Sequence, residues 1–139
     1  VADGDTSYNY ASVQWRQDRL LMENSGLTSE AISNVTLYAT MRRAIASVAV
    51  VALGVRSNGD VSVQNKTLTD SYVEYTYSMN LNPFTGLAWT AAEIDVLICT
   101  YILNSADTQA RVTQLYIIVT YTPLVIGLTG HKLELVLTL

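Results

Sequence analysis

The dipeptide Asn58-Gly59, inside the stretch RSNGDV, restricts the fold of this chain more than any other feature. An Asn-Gly pair accepts the positive φ angles of a type I′ turn. The twist of that turn matches two antiparallel strands, so it is the strongest short-range hairpin signal. Residues 48–56 are therefore expected to pair antiparallel with 61–66. The segment leading into the turn, 44–56, is apolar on both faces, with Val51, Leu53 and Val55 opposite Val48 and Val50. That is the pattern of a central strand covered on both sides. Its four alanines make a buried helix the competing reading, against which stand the valines and the turn that follows.

The residues elsewhere agree with strands. Thr, Val, Ile and nine Tyr dominate against one Phe, and β-branched and aromatic side chains suit a pleated, half-buried surface. Segment 13–22 reads as a first strand with Val13, Trp15 and Leu21 on one face, and 32–41 as a second with Val35, Leu37 and Ala39 together. In 71–80, Tyr72, Glu74, Thr76 and Ser78 face one way and Val73, Tyr75, Tyr77 and Met79 the other. Further strands are expected over 98–103 and 111–121, the latter ended by Pro123. Between them, Asn82-Pro83 makes a turn, and Thr90 with Glu93 forms a capping box that opens a short helix over 91–97. Ile94 and Leu97 would face inward beside Trp89. The structural reading is a helical cap closing one end of an all-β antiparallel sandwich, with Trp89 as its plug. The functional reading is a loop that presents Trp89 to a sugar.

At 139 residues the chain fits one domain with a real core. Half of it is hydrophobic, 14% is charged and the mean hydropathy is +0.24, so it must bury nearly everything itself or hide surface against partners. A net charge of −4 and a pI near 4.7 argue against nucleic acid as a partner, since phosphates are held by Lys and Arg. The longest apolar run, 44–55, is shorter than the about 20 residues that span a bilayer, so no membrane partner is expected. The opening VADGDTSYNY has neither the basic nor the apolar stretch of a signal peptide.

Three stretches carry a resemblance: DGDTSY at 3–8, LNPFTGLAWTAAEIDVL at 81–97 and RVTQLYIIVTY at 111–121. Together they resemble a jelly-roll-like β-sandwich domain of structural proteins from tailed bacteriophages, related viruses and bacterial surfaces. The stretches stand in the expected order, cover about residues 3–122, and the hairpin at RSNGD fits between them. The resemblance implies a virion or cell-surface component outside the cell and carries over no catalytic residue. Members of that family begin with another strand before the acidic opening and stop soon after the closing strand. Here the chain starts almost at the motif and continues as LVIGLTGHKLELVLTL through 124–139.

In that continuation Leu133, Leu135, Leu137 and Leu139 share one face while Lys132, Glu134 and Thr138 take the other. The expected organisation is a sandwich over 1–123 and a C-terminal strand extension over 124–139. The strand would fill a vacancy in its own domain or, as a donor strand, in a neighbouring copy; alternatively 124–139 begins a further domain. Four leucines at about 2 kcal/mol each give on the order of 8 kcal/mol gross for such a joint. Gly127 and Gly130 would supply the hinge.

A catalytic set is not found in the sequence, and no cofactor is implied. Asp3, Asp5 and Ser7 begin like a calcium loop, but its sixth and twelfth positions hold Tyr8 and Gln14 in place of Gly and Glu. Turn-forming acids or a looser calcium site remain. His131 is the only histidine, and Cys99, the only cysteine, reads as core and excludes an intrachain disulfide. Glu74 stands among Tyr72 and Tyr77, but positions 74 and 77 point to opposite faces of a strand. Asn34 and Asn65 lie in glycosylation sequons, of which Asn65, at the end of the hairpin, would be accessible. The expected function is a non-enzymatic subunit of a virion or extracellular assembly (decoration, tail, fibre or filament) whose partners are copies of itself or other structural proteins. The second reading is a carbohydrate-binding module using exposed Tyr and Trp89, with a glycan as partner.

Overall fold

A computed structural model describes residues 9–11, 17–21, 25–45, 47–105, 109–122 and 131–135. In chain order the strands are β1 (Asn9–Ala11), β2 (Gln17–Leu21), β3 (Ala31–Arg43), β4 (Val50–Ser57), β5 (Asp60–Thr67) and β6 (Val73–Met79). A five-residue helix α1 (Ala91–Asp95) precedes β7 (Ile98–Leu103), β8 (Ala110–Thr122) and β9 (His131–Leu135). Two antiparallel sheets result, one ordered β1-β8-β3-β6 with β9 also on β8, the other β2-β7-β4-β5. This interleaving of two Greek keys is the jelly-roll arrangement, so the chain is an all-β antiparallel sandwich with one short helix.

The core lies between the sheets. Val35, Leu37, Ala39 and Met41 of β3 are fully buried, as are Val112, Ile117 and Val119 of β8, and Val51, Leu53 and Val55 of β4 meet them in one cluster. Cys99, Tyr101 and Leu103 of β7 complete the second sheet's inner face. The β3–β8 pairing shifts register twice, leaving Ser33 and Thr113 as extra residues. Both carry hydroxyls that donate to a carbonyl of the opposing strand, Ser33 Oγ to Thr120 O at 3.2 Å and Thr113 Oγ1 to Thr40 O at 3.4 Å. The bulges thus supply their own hydrogen bonds where the ladder is interrupted.

Asn58 (φ 49°) and Gly59 (φ 96°) form the hairpin turn, and Ser57 pairs with Asp60 across it. β4 is central in its sheet, between β7 and β5, and Val51 to Val55 are all buried. Of residues 44–49, expected as the front of that strand, 44–45 and 47–49 lie outside any strand, between β3 of the first sheet and β4 of the second. Ala44 N–H donates to Gln109 O, and Leu68 N–H to Ala49 O, leaving Val48 65% exposed. Arg43 turns this corner with a bidentate pair to Asp70, Nε to Oδ1 at 2.5 Å and Nη2 to Oδ2 at 2.8 Å. Of the expected first strand, β2 supplies 17–21, while Val13 and Trp15 lie outside the described residues. Leu21 pairs with Ile98 and is 63% exposed.

The open side of the sandwich is closed by tyrosines of β6. Tyr77 Oη and Ser62 Oγ share a hydrogen bond of 2.8 Å, while Tyr75 Oη donates to Thr67 O and accepts from Thr69 N–H, both at 3.2 Å. β6 alternates as expected, with Tyr75, Tyr77 and Met79 toward the core.

Three carboxylates are held below their ordinary range: Asp70 by Arg43, Asp95 by the Ser25 hydroxyl and N–H, and Glu30 by the N–H groups of its own turn. A carboxylate with a depressed folded-state pKa contributes stability above its unfolded value of about 3.9 and loses it as pH falls through the folded value. The urea midpoint of the protein is therefore expected to fall as the pH drops below about 4. Asp70→Asn should lower the midpoint at neutral pH and converge on the parent at the acid end. Parallel curves at all pH values would show that the Arg43–Asp70 pair contributes nothing.

Candidate assembly edge

β8 is 13 residues long, and its two edges are used differently. One edge pairs with β3 along almost its whole length, from Ala110 opposite Arg43 to Thr122 opposite Ala31. The other edge is divided. Among the described residues, β1 pairs with Ala110 to Val112 and β9 with Ile117 to Tyr121. Each sheet has four strands before β9 is counted. Among the described residues, β1 and β2 stand at the start of the two sheets, and β9 pairs with a different part of the β8 edge from β1.

The register of β9 follows from alternation. Leu133 lies opposite Val119 and Leu135 opposite Ile117, both fully buried positions. Lys132 lies opposite Thr120 and Glu134 opposite Ile118. Leu133 and Leu135 thus hold register positions across from buried residues of β8, and Lys132 and Glu134 hold the alternate positions. Leu137 and Leu139, and the hinge glycines Gly127 and Gly130, lie outside the described residues. His131 takes the register position opposite Tyr121.

A second surface bears on association. By register the outer face of the second sheet carries a row from Leu21 through Ile98 and Arg56 to Val61, and beside it a row from Thr100 through Gly54 to Val63. Leu21 is 63% exposed, and Val61 and Val63 are each 41% exposed. Outward apolar residues on a strand have no signal of their own in the sequence, because which face is inward depends on the partner strands.

The other singled-out residues take structural places. Trp89 is 3% exposed and its indole N–H donates to Met79 O at 3.2 Å, so it plugs the sandwich end and offers no ring face to a sugar. Thr90 and Glu93 form the expected capping box. The helix ends at Asp95, short of the expected 97, because Leu97 is fully buried at the entry to β7. Burial pushes the Cys99 thiol up to about 12, which leaves it an inert core residue. Glu74 is on the outer face, where it accepts from Tyr116 Oη at 2.8 Å beside the stacked Tyr38–Tyr116 pair, while Tyr77 faces the core. Asn34 is bound up in the same face, its Nδ2 donating to Ser78 Oγ and Asn80 Oδ1. Asn65 is exposed and takes one hydrogen bond from Asn104 Nδ2 at 3.0 Å. Asp3, Asp5 and Ser7 lie outside the described residues, among which no cluster of three or more His, Cys, Asp or Glu could hold a metal. No helix among the described residues is long and apolar enough to cross a membrane.

No protein-family model matches the chain, and no curated protein sequence is detectably similar to it.

Trp89 provides a direct check on the plug. Trp89→Phe keeps an aromatic ring but leaves Met79 O without its donor, and should cost about 1–2 kcal/mol in urea unfolding. Trp89→Ala should cost about 3–5 kcal/mol, as a large cavity opens. Equal, small losses for both would place the indole outside the packed core.

Proposed function

We propose that this chain is a non-enzymatic structural subunit of a virion or extracellular assembly that associates with copies of itself, exchanging β9 between neighbours. The observation that carries the reading is the divided edge of β8. Among the described residues β9 pairs with β8, in a register that sets Leu133 across from Val119 and Leu135 across from Ile117. A β9 arriving from another copy would make the same main-chain hydrogen bonds and fill the same places, which is the physics of strand addition. The exposed Leu21, Val61 and Val63 on the second sheet and the low charge of the chain support burial against partners. The jelly-roll strand order is in keeping with a structural role, although a fold of this kind hosts many functions.

Thr120 and Lys132 stand opposite each other across β8 and β9, and a cysteine at each reports whose strand fills the edge. In the variant Thr120→Cys, Lys132→Cys, oxidation of concentrated protein should give dimers and higher species on non-reducing gels. The native Cys99 is buried and stays out of the exchange. A disulfide found only within single chains, in protein that remains monomeric at every concentration, would overturn the reading.

A further inference from the structure

The turn of the β4–β5 hairpin, the loop after β6 and helix α1 enclose a cleft of about 330 Å³. Its most telling residue is Asn82, which is 2% exposed and lines the cleft wall. The main chain of Asn82 is fully used, N–H to Leu87 O and O from Gly86 N–H, both at 2.8 Å. Its side-chain Oδ1 accepts from Phe84 N–H at 2.9 Å, which fixes the orientation of the amide. The Nδ2 group has no acceptor among the described residues, yet it is not sealed from solvent. Asn82 is one of the residues that line the cleft. A buried amide donor is thus presented to whatever occupies the cleft.

Around it stand Asp60, Glu93 and Asn58 as polar groups, and Phe84 and Val96 as an apolar wall. Glu93, which lines the cleft, commits Oε2 to Thr90, accepting from its N–H at 2.8 Å and its hydroxyl at 2.9 Å, and keeps Oε1 outside these bonds. Among the described residues, no Lys, Arg or His lines the site. An occupant must therefore supply several donors to the carboxylates, accept one bond from Asn82, and lay an apolar face on Phe84. It should carry no negative charge.

Those requirements describe a sugar ring, whose hydroxyls donate and accept around the rim and whose C–H groups form an apolar face. The geometry points to a binding site for one or two neutral sugar units in this cleft. Its size lies at the lower end of ordinary small-ligand sites, about 300–1,000 Å³. The site is independent of β9 and of Trp89. Its failure would leave the proposed assembly role untouched, and strand exchange can fail without affecting the cleft.

The test is NMR titration of the side-chain amide signals of ¹⁵N-labelled protein with methyl glucoside, methyl galactoside and N-acetylglucosamine. Glucuronic acid and ethylamine serve as comparators. At least one neutral sugar should shift the Asn82 amide to saturation with a Kd in the millimolar range, and glucuronic acid should bind about tenfold more weakly. Asn82→Asp keeps the acceptor that the turn needs and removes the donor, and should weaken sugar binding by about tenfold or more. Asp60→Asn with Glu93→Gln keeps the capping box, since Gln also serves there, and should abolish the discrimination against glucuronic acid. The inference is overturned if no neutral sugar shifts Asn82, as for a turn residue that meets only water. Unchanged affinity in Asn82→Asp would also overturn it, as would tighter binding of ethylamine than of any sugar, since the cleft would then read charge alone.

Discussion

The antiparallel ladder between β3 and β8 is the constraint on which the other elements depend. Both strands are 13 residues long, and their inward residues meet in pairs, Val35 with Val119, Leu37 with Ile117 and Ala39 with Leu115. A slip of one residue would turn every one of these side chains to solvent, so the hydrophobic pattern holds the register firmly. The two bulges divide the ladder into stretches that each keep this alternation, and the hydroxyls of Ser33 and Thr113 replace the hydrogen bonds the interruptions remove. β6 extends the sheet on one side, β1 and β9 extend it on the other, and the second sheet packs on the face the ladder defines. A Greek-key order of this kind rests on pairings between residues far apart in sequence. Arg43, for example, lies opposite Ala110. Such pairings lose loop-closure entropy before any packing offsets it, so this ladder is expected to form late in a slow folding reaction.

What was legible in the sequence is what local chemistry decides. Asn58-Gly59 must take positive φ angles, and the hairpin followed with no residues to spare. The alternation of β6 and the Thr90–Glu93 capping box are likewise properties of residues within four positions of each other. Illegible features have distant partners. Residues 44–49 carry the same apolar residues as a buried strand, yet they cross between the sheets, and only the hydrogen bonds with Gln109 and Leu68 reveal this. Asp95 looks like an ordinary helix acid, but it ties down Ser25, 70 residues away, through bonds of 2.7 Å to the N–H and 2.6 Å to the hydroxyl. Asn82 reads as turn chemistry, and only the meeting of three separate segments turns it into a cleft wall.

The proposed exchange of β9 rests on the β8 edge, which among the described residues β1 and β9 share. An uncovered length of β8 would present unpaired main-chain groups beside the buried Ile117 and Val119, a template for unwanted pairing. Pairing with β9 removes the hazard, and eight residues of sequence separate Thr122 from His131, a length that corresponds to an effective concentration in the millimolar range. A neighbour's strand competes with that figure, since it would form the same ladder and fill the same inward positions. Exchange is therefore disfavoured in dilute solution and becomes competitive where copies are crowded to comparable local concentration, or where further interfaces between subunits add to it. The exposed Leu21, Val61 and Val63 supply apolar surface for such interfaces. A chain built this way would stay closed while dilute and join its neighbours only once they are already gathered, which is the order of events that a symmetric shell or filament requires of its subunits.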